Sequence, residues 1–221
     1  MKINHPVRQI VWDWNGTLLD DLRYAIGVRN RIFPLFGLPT MDSREEYYQQ
    51  FTFPVKLYYE RAGVTEENFD QVARAWMDEY VRGHESIPLH QDEADTVHRL
   101  RNAGLRQVVL SASKLEILRK QLECYPALDG CFGEVLGLSD IYARSKEAIG
   151  CAYLQQCGIP AGESVMMGDT LHDADVARAM GAQCILVARG HQSRETLETA
   201  GVPVCDSLEE AAGLLLRAVK F

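Results

Sequence analysis

The sequence predicts an α/β protein, a Rossmann-like and mostly parallel sheet covered on both faces by helices, with an all-helical segment inserted after the first strand. Three observations predict it. Gln9-Ile10-Val11-Trp12 is a short β-branched and aromatic run broken at Asn15-Gly16, the pattern of a fully buried parallel strand rather than a half-exposed one. Residues from about 20 to 85 carry helical spacing and no strand pattern. From His90 onward, strand-like and helix-like segments alternate, which implies parallel strands joined by crossover helices.

Each element has its own signal. Leu22 to Phe36 places Leu22, Ala25, Ile26, Phe33 and Phe36 on one helical face, with Gly37 and Pro39 as the stop. Ser43-Arg-Glu-Glu46 is a capping box, and Glu46 to Phe51 and Pro54 to Ala62 read as two short helices. Thr65 starts an amphipathic helix on which Phe69, Val72, Ala73, Trp76, Met77 and Tyr80 share a face. Then come a helix over 91–103, a strand at Gln107 to Leu110, a helix from Lys114 to Glu123 and a strand at Phe132 to Leu136. A helix from Ser145 to Cys157, stopped by Gly158 and Pro160, precedes a strand at Val165 to Met167. A helix from Thr170 to Met180 and a strand at Cys184 to Val187 follow, and Ser207 caps a last helix. The predicted core domain is therefore residues 1–19 and 88–221, and residues 20–87 form a helical domain too long to be a loop. Hinges are expected at Leu18 to Asp21 and Gly83 to His90.

Composition narrows the function classes. With 221 residues, 47% of them apolar and 24% charged, the chain can bury a sizeable core. A net charge of -8 speaks against nucleic acid as a partner, because that surface needs clustered Lys and Arg. The six cysteines, at 124, 131, 151, 157, 184 and 205, form no C-x-x-C pair and are expected to be reduced and mostly buried. No apolar run approaches a membrane span, and the first residues lack a signal core, so a cytoplasmic protein with no membrane partner is expected. The glycosylation sequon Asn15-Gly16-Thr17 is then accidental.

Polar groups recur where strands end, and ligands of open α/β sheets bind outside the carboxyl ends of strands. Asp13 follows the first strand. Ser111 ends the second, with Ser113 as a further candidate or as a cap of the next helix. Lys146 lies in the first turn of a helix, where a cation opposes the macrodipole. Asp169 and Asp173 follow the strand at Val165 to Met167. Two aspartates there are also ordinary helix caps. With Asp13 on a neighbouring strand, however, the three carboxylates repel one another unless a cation lies between them, and hard oxygen ligands favour Mg²⁺.

In order and spacing, Asp13-Trp14-Asn15-Gly16-Thr17, Val108-Val109-Leu110-Ser111, Ser145-Lys146 and Gly168-Asp169-Thr170-Leu171-His172-Asp173 resemble the four motifs of the haloacid dehalogenase-like (HAD) hydrolases. The likeness is strongest to the phosphoglycolate-phosphatase-like group with a helical cap between the first two motifs. The resemblance implies a HAD-like core and a phosphatase acting on a small phosphorylated metabolite, as a monomer or homodimer. Asp13 would be the nucleophile that forms an aspartyl-phosphate, and Lys146 a catalytic cation. Ser111, Ala112, Gly16 and Lys146 would hold the phosphoryl group, and Asp13, the Asn15 backbone carbonyl, Asp169 and Asp173 would hold Mg²⁺, with Asp173 either a direct ligand or one step removed.

One position departs from the family pattern, D-x-D-G-T. Asn15 stands where family phosphatases carry an acid/base aspartate, and an amide cannot transfer a proton. Three readings stay open: a phosphatase that is slow or suited to leaving groups of low basicity, with His172 or a cap histidine as a substitute acid; a protein that retains a phospho-ligand or phospho-Asp13; or deamidation at Asn15-Gly16. Two alternatives accompany them. Phosphonoacetaldehyde hydrolases read D-W-A-G-T, sharing Trp14, and use a cap lysine as a Schiff base, for which Lys56 is the candidate. The other is a non-catalytic module that keeps the fold and the metal. The aromatic stretch Tyr47, Tyr48, Phe51, Phe53, Tyr58 and Tyr59 is expected to be helix packing.

Overall fold

A computed structural model describes residues 3, 5–91, 93–139 and 145–218. Ala143 and Arg144, which precede the Lys146 motif, lie outside the described residues, as do Asp92 and parts of the N-terminal stretch. The chain divides into two compact units, residues 1–19 with 89–221 and residues 20–88.

The first unit holds a six-stranded parallel sheet: β1 (Gln9–Trp12), β2 (Arg106–Lys114), β3 (Glu134–Leu138), β4 (Ser164–Gly168), β5 (Gln183–Val187) and β6 (Val204–Cys205). Their spatial order is β3-β2-β1-β4-β5-β6. The chain therefore builds outward from β1 in one direction, returns, and builds outward in the other. This opens a crevice at the carboxyl ends of β1 and β4, where such sheets bind ligands. Every residue of β1 and β4 is buried, as expected for central strands covered on both faces. Trp12 lies opposite Val109 of β2 and Met167 of β4, so Asp13 emerges one step beyond the last paired residue.

The helices of this unit are α5 (Glu93–Asn102), α6 (Leu115–Glu123), α7 (Lys146–Gln156), α8 (Leu171–Met180), α9 (Arg194–Glu198) and α10 (Leu208–Ala218); α1–α4 belong to the second unit. One core cluster packs Val11, Leu110 and Met166 of the central strands against Ala174, Val176, Ala177 and Met180 of α8. The six cysteines are free thiols, and Cys131, Cys184 and Cys205 are buried. Among the described residues, no helix is long and apolar enough to cross a membrane.

The second unit contains α1 (Leu22–Ile32), continued by a 3₁₀ turn at Phe33–Phe36, then α2 (Arg44–Gln50), α3 (Val55–Arg61) and α4 (Phe69–Gly83). Gly37 ends the first segment at φ 71°, a left-handed cap. The aromatic stretch is packing: Tyr47, Tyr58 and Tyr59 are buried with Phe33 and Leu22, and Tyr47 stacks on Phe51 with centroids 5.0 Å apart.

The structure corrects several element boundaries. The helix expected from Thr65 begins at Phe69, because the Asn68 side chain accepts from the Thr65 N–H and closes a turn first. At the Ser43 cap the Glu46 carboxylate accepts from the Asp42 N–H, one residue outside the expected box. The strand expected over Phe132 to Leu136 runs two residues later, because Val108 of β2 pairs with Glu134. β2 itself continues to Lys114 through a register shift after Leu110. The two-residue β6 and the five-residue α9 had no expected counterpart; both are too short to carry a period.

Candidate active site

Asp13 leaves β1 buried, its N–H donating to the Met167 carbonyl of β4 at 2.8 Å. The chain then folds back on itself: the N–H groups of Leu18 and Leu19 donate to the Trp14 carbonyl, and the Gly16 N–H donates to the Leu19 carbonyl at 2.9 Å. Gly16 sits at φ 75°, and a Cβ there would collide with the Asp169 carboxylate and the His191 ring. Its N–H is therefore engaged in the turn. Thr17 joins the two strand ends, its hydroxyl bonding Asp13 Oδ2 at 3.1 Å and Asp169 Oδ1 at 2.9 Å.

Asp169 and Asp173 come from the end of β4 and the first turn of α8. Thr170 and Asp173 form a capping box at that helix start. Asp173 Oδ2 accepts from the N–H groups of Asp169 and Thr170 and from the Thr170 hydroxyl, while Oδ1 takes Lys146 Nζ at 2.6 Å. Both oxygens are thus engaged by the protein. Of the two places open to Asp173, this suits a residue that orients Lys146 and the Asp169 backbone better than a direct metal ligand. Lys146 is buried at the first position of α7 and bonds Asp13 Oδ1 as well. Two carboxylates hold the cation against the helix dipole.

The three carboxylates offer oxygens within 4.8 Å of one another, and the Lys146 ammonium bonds two of them, Asp13 and Asp173. Burial, eased by Lys146 and reinforced by the charges of Asp173 and Asp169, pushes Asp13 up to about 8. Burial pushes Asp169 up to about 6, against the pull of His191 and the Thr17 hydroxyl. Burial also acts upward on Asp173, but Lys146 and the Thr170 hydroxyl more than offset it and hold the group below the usual carboxylate range. Lys146 is desolvated too, yet Asp13 and Asp173 keep its pKa above that of an ordinary lysine. The donor set is all oxygen and carries excess negative charge, which fits a hard divalent cation between Asp13 and Asp169.

On the other flank, Ser111 is buried at the end of the regular part of β2 and Ala112 is exposed beside it. Ser113 does not cap α6, which starts after Lys114 without a side-chain cap. Instead the Ser113 N–H donates to Ser111 Oγ at 3.1 Å and its hydroxyl donates to Asn15 Oδ1 at 3.0 Å.

The family model for haloacid dehalogenase-like hydrolases matches residues 10–187. The chain belongs to that family. A phosphoglycolate phosphatase of Synechococcus elongatus is 25% identical over 96% of this chain and 97% of its own length, and one of Aliivibrio fischeri is 28% identical over 91% and 89%. The crystal structure of a "predicted phosphatase from Clostridium acetobutylicum" superposes with a TM-score of 0.83 at 20% identity, covering 97% of this chain and 100% of that one.

Within this HAD hydrolase the remaining sequence candidates separate. His172 lies in the first turn of α8, where burial lowers its pKa. The histidine in the helical segment, His84, turns Nδ1 to the Val81 carbonyl. Lys56 is half-exposed and paired with Glu66 at 3.4 Å, without the desolvation that activates a Schiff-base lysine. Trp14 is fully buried and donates to Gln121, so the residue shared with phosphonoacetaldehyde hydrolases packs against α6 rather than a substrate.

Sequence reasoning missed the supports of this site. The His191 N–H donates to Asp169 Oδ2 at 2.6 Å, and His90 Nε2 is 3.3 Å from the Gly16 carbonyl. Arg189 joins the Thr17 carbonyl to the buried carboxylate of Glu93, and the Gln192 side chain accepts the Leu171 N–H. Gly190 lets this loop approach closely, since a Cβ there would strike Asp169.

Proposed function

We propose that the chain is a Mg²⁺-dependent phosphatase that hydrolyses a small phosphorylated metabolite through an aspartyl-phosphate on Asp13. The observation that carries this reading is the position of the Asp13 carboxylate. It lies at the carboxyl-end crevice of β1 and β4, bonded to Lys146 and Thr17, with Asp169 across from it. A nucleophile there has a cation at hand for the charge of the transferring phosphoryl group. The likeness to phosphoglycolate phosphatases supports a substrate of that size and charge.

In this reading one Asp13 oxygen attacks phosphorus. Lys146 and the Ser111 hydroxyl, with the Ala112 backbone, hold the phosphoryl oxygens, and Asp173 keeps Lys146 aimed at Asp13. Asp169, the other Asp13 oxygen and the Asn15 backbone carbonyl would hold Mg²⁺, which when bound supplies further charge neutralisation. The test is phosphate release from an aryl phosphate with Mg²⁺ or EDTA, for wild type and Asp13→Asn. Metal-dependent release lost in Asp13→Asn is expected; release that survives the substitution sinks the reading.

A further inference from the structure

The hydrogen bond from Ser113 to Asn15 bears on which phosphoryl donors this site can use, an inference that rests on the phosphatase reading above. Asn15 stands where an acid would protonate the departing oxygen. Its amide oxygen accepts the Ser113 hydroxyl at 3.0 Å, and Ser113 is itself fixed through its N–H to the buried Ser111. With the acceptor of the amide held on β2, the other branch is an NH₂ group, which can donate a hydrogen bond but has no proton to transfer. The register shift of β2 after Leu110 is what carries Ser113 to Asn15. The contact is therefore built into the sheet end rather than made by a wandering side chain.

We propose that Ser113 is a positioning residue that fixes the Asn15 amide as a hydrogen-bond donor. The chain then acts on phosphoryl donors whose leaving group departs unprotonated, namely acyl phosphates, aryl phosphates and phosphoanhydrides, in preference to alkyl phosphate esters. In the first step an Asp13 oxygen bonds to phosphorus and the bond from phosphorus to the leaving oxygen breaks. That oxygen keeps the electron pair and leaves as a carboxylate, phenolate or phosphate anion. In the second step water bonds to phosphorus, the bond to Asp13 breaks, Asp13 regains its carboxylate, and the released phosphate carries both protons of the water, one of which it gives up to solvent. Neither step needs an acid for the leaving group when that group is weakly basic.

The experiment measures kcat/KM with Mg²⁺ for acetyl phosphate, a series of aryl phosphates of increasing phenol pKa, and an alkyl phosphate. The proteins are wild type, Asn15→Asp, Ser113→Ala, Ser113→Thr, His90→Gln and Asp13→Asn. Wild type should lose rate steeply as the leaving group becomes more basic. Asn15→Asp should gain about 10² to 10⁴ on the alkyl ester and less than about tenfold on acetyl phosphate, the range general acid help supplies. Ser113→Ala should lower the rate about fivefold on average, the worth of one hydrogen bond. The loss should grow with leaving-group basicity, and Ser113→Thr should restore the rate; a purely structural role would lower the whole series equally.

A flat wild-type series overturns the proposal, as does an alkyl-ester activity that His90→Gln removes or an equal gain from Asn15→Asp on every substrate. So does a wild type inert on acetyl phosphate beside an active Asn15→Asp. Each of those leaves Asp13→Asn inactive and the phosphatase reading standing. Turnover that persists in Asp13→Asn instead removes the phosphatase reading itself.

Discussion

Removing divalent metal should make the stability of this protein fall as pH rises from about 4 to about 8, and restoring it should lessen the fall. The ordinary unfolded carboxyl value is near 3.9, whereas burial raises Asp169 to about 6 and Asp13 to about 8. A carboxyl with a higher pKa in the folded state binds more protons folded than unfolded between the two values. Stability therefore declines through that window as pH rises. For Asp169 alone the two-unit shift corresponds to about 3 kcal/mol, and Asp13 adds to it at higher pH. Other groups of the cluster act outside the window. Asp173, held low, contributes stability that is lost only as pH falls below about 4, and Lys146, held high, contributes stability lost only above its ordinary value near 10.4. A cation that binds ionised Asp13 and Asp169 stabilises the folded state more at pH 8 than at pH 5; at a hundred times its Kd at pH 8 the whole stabilisation there is about 2.7 kcal/mol. The assay is urea unfolding at several pH values in EDTA and in Mg²⁺, followed by the fluorescence of the buried Trp12 and Trp14. Metal-free stability that rises from pH 5 to pH 8, or a Mg²⁺ effect independent of pH, would refute the reasoning.

Two further outcomes follow from the same geometry. Lys146→Met leaves Asp13 and Asp173 without their shared cation, and breaking a buried pair in this way costs about 3–5 kcal/mol. Protonation of Asp13 relieves part of that cost, so urea unfolding should show a larger loss at pH 8 than at pH 5. Gly16→Ala forces a side chain into a left-handed backbone position, at about 1–2 kcal/mol, and drives a methyl group into Asp169. Calorimetric titration with Mg²⁺ should show its affinity reduced at least about tenfold, whereas an unchanged affinity would mean that the Asp13 turn and Asp169 are not coupled.

What the sequence makes legible here is what local patterning encodes. The buried β1 run, the apolar stretch before Ser111 and the one before Asp169 announce central strands, and a polar residue at each strand end marks the chemical edge of the sheet. Elements too short for a period, such as β6, leave no such trace. Nor do contacts that depend on where distant strand ends meet: Thr17 with Asp169, His191 with Asp169, and Arg189 with Glu93 each join residues more than 90 positions apart or cross from one loop to another. Ser113 shows why such contacts are hidden. As a residue just past a strand and just before a helix it has the local profile of a cap, and only the irregular extension of β2 against β3 turns it toward Asn15 instead. The Asn15 substitution, visible in the sequence as a missing carboxyl, thus acquires its physical content from a hydrogen bond that no local pattern encodes. The chemistry of this site depends as much on how the amide is held as on the proton it lacks.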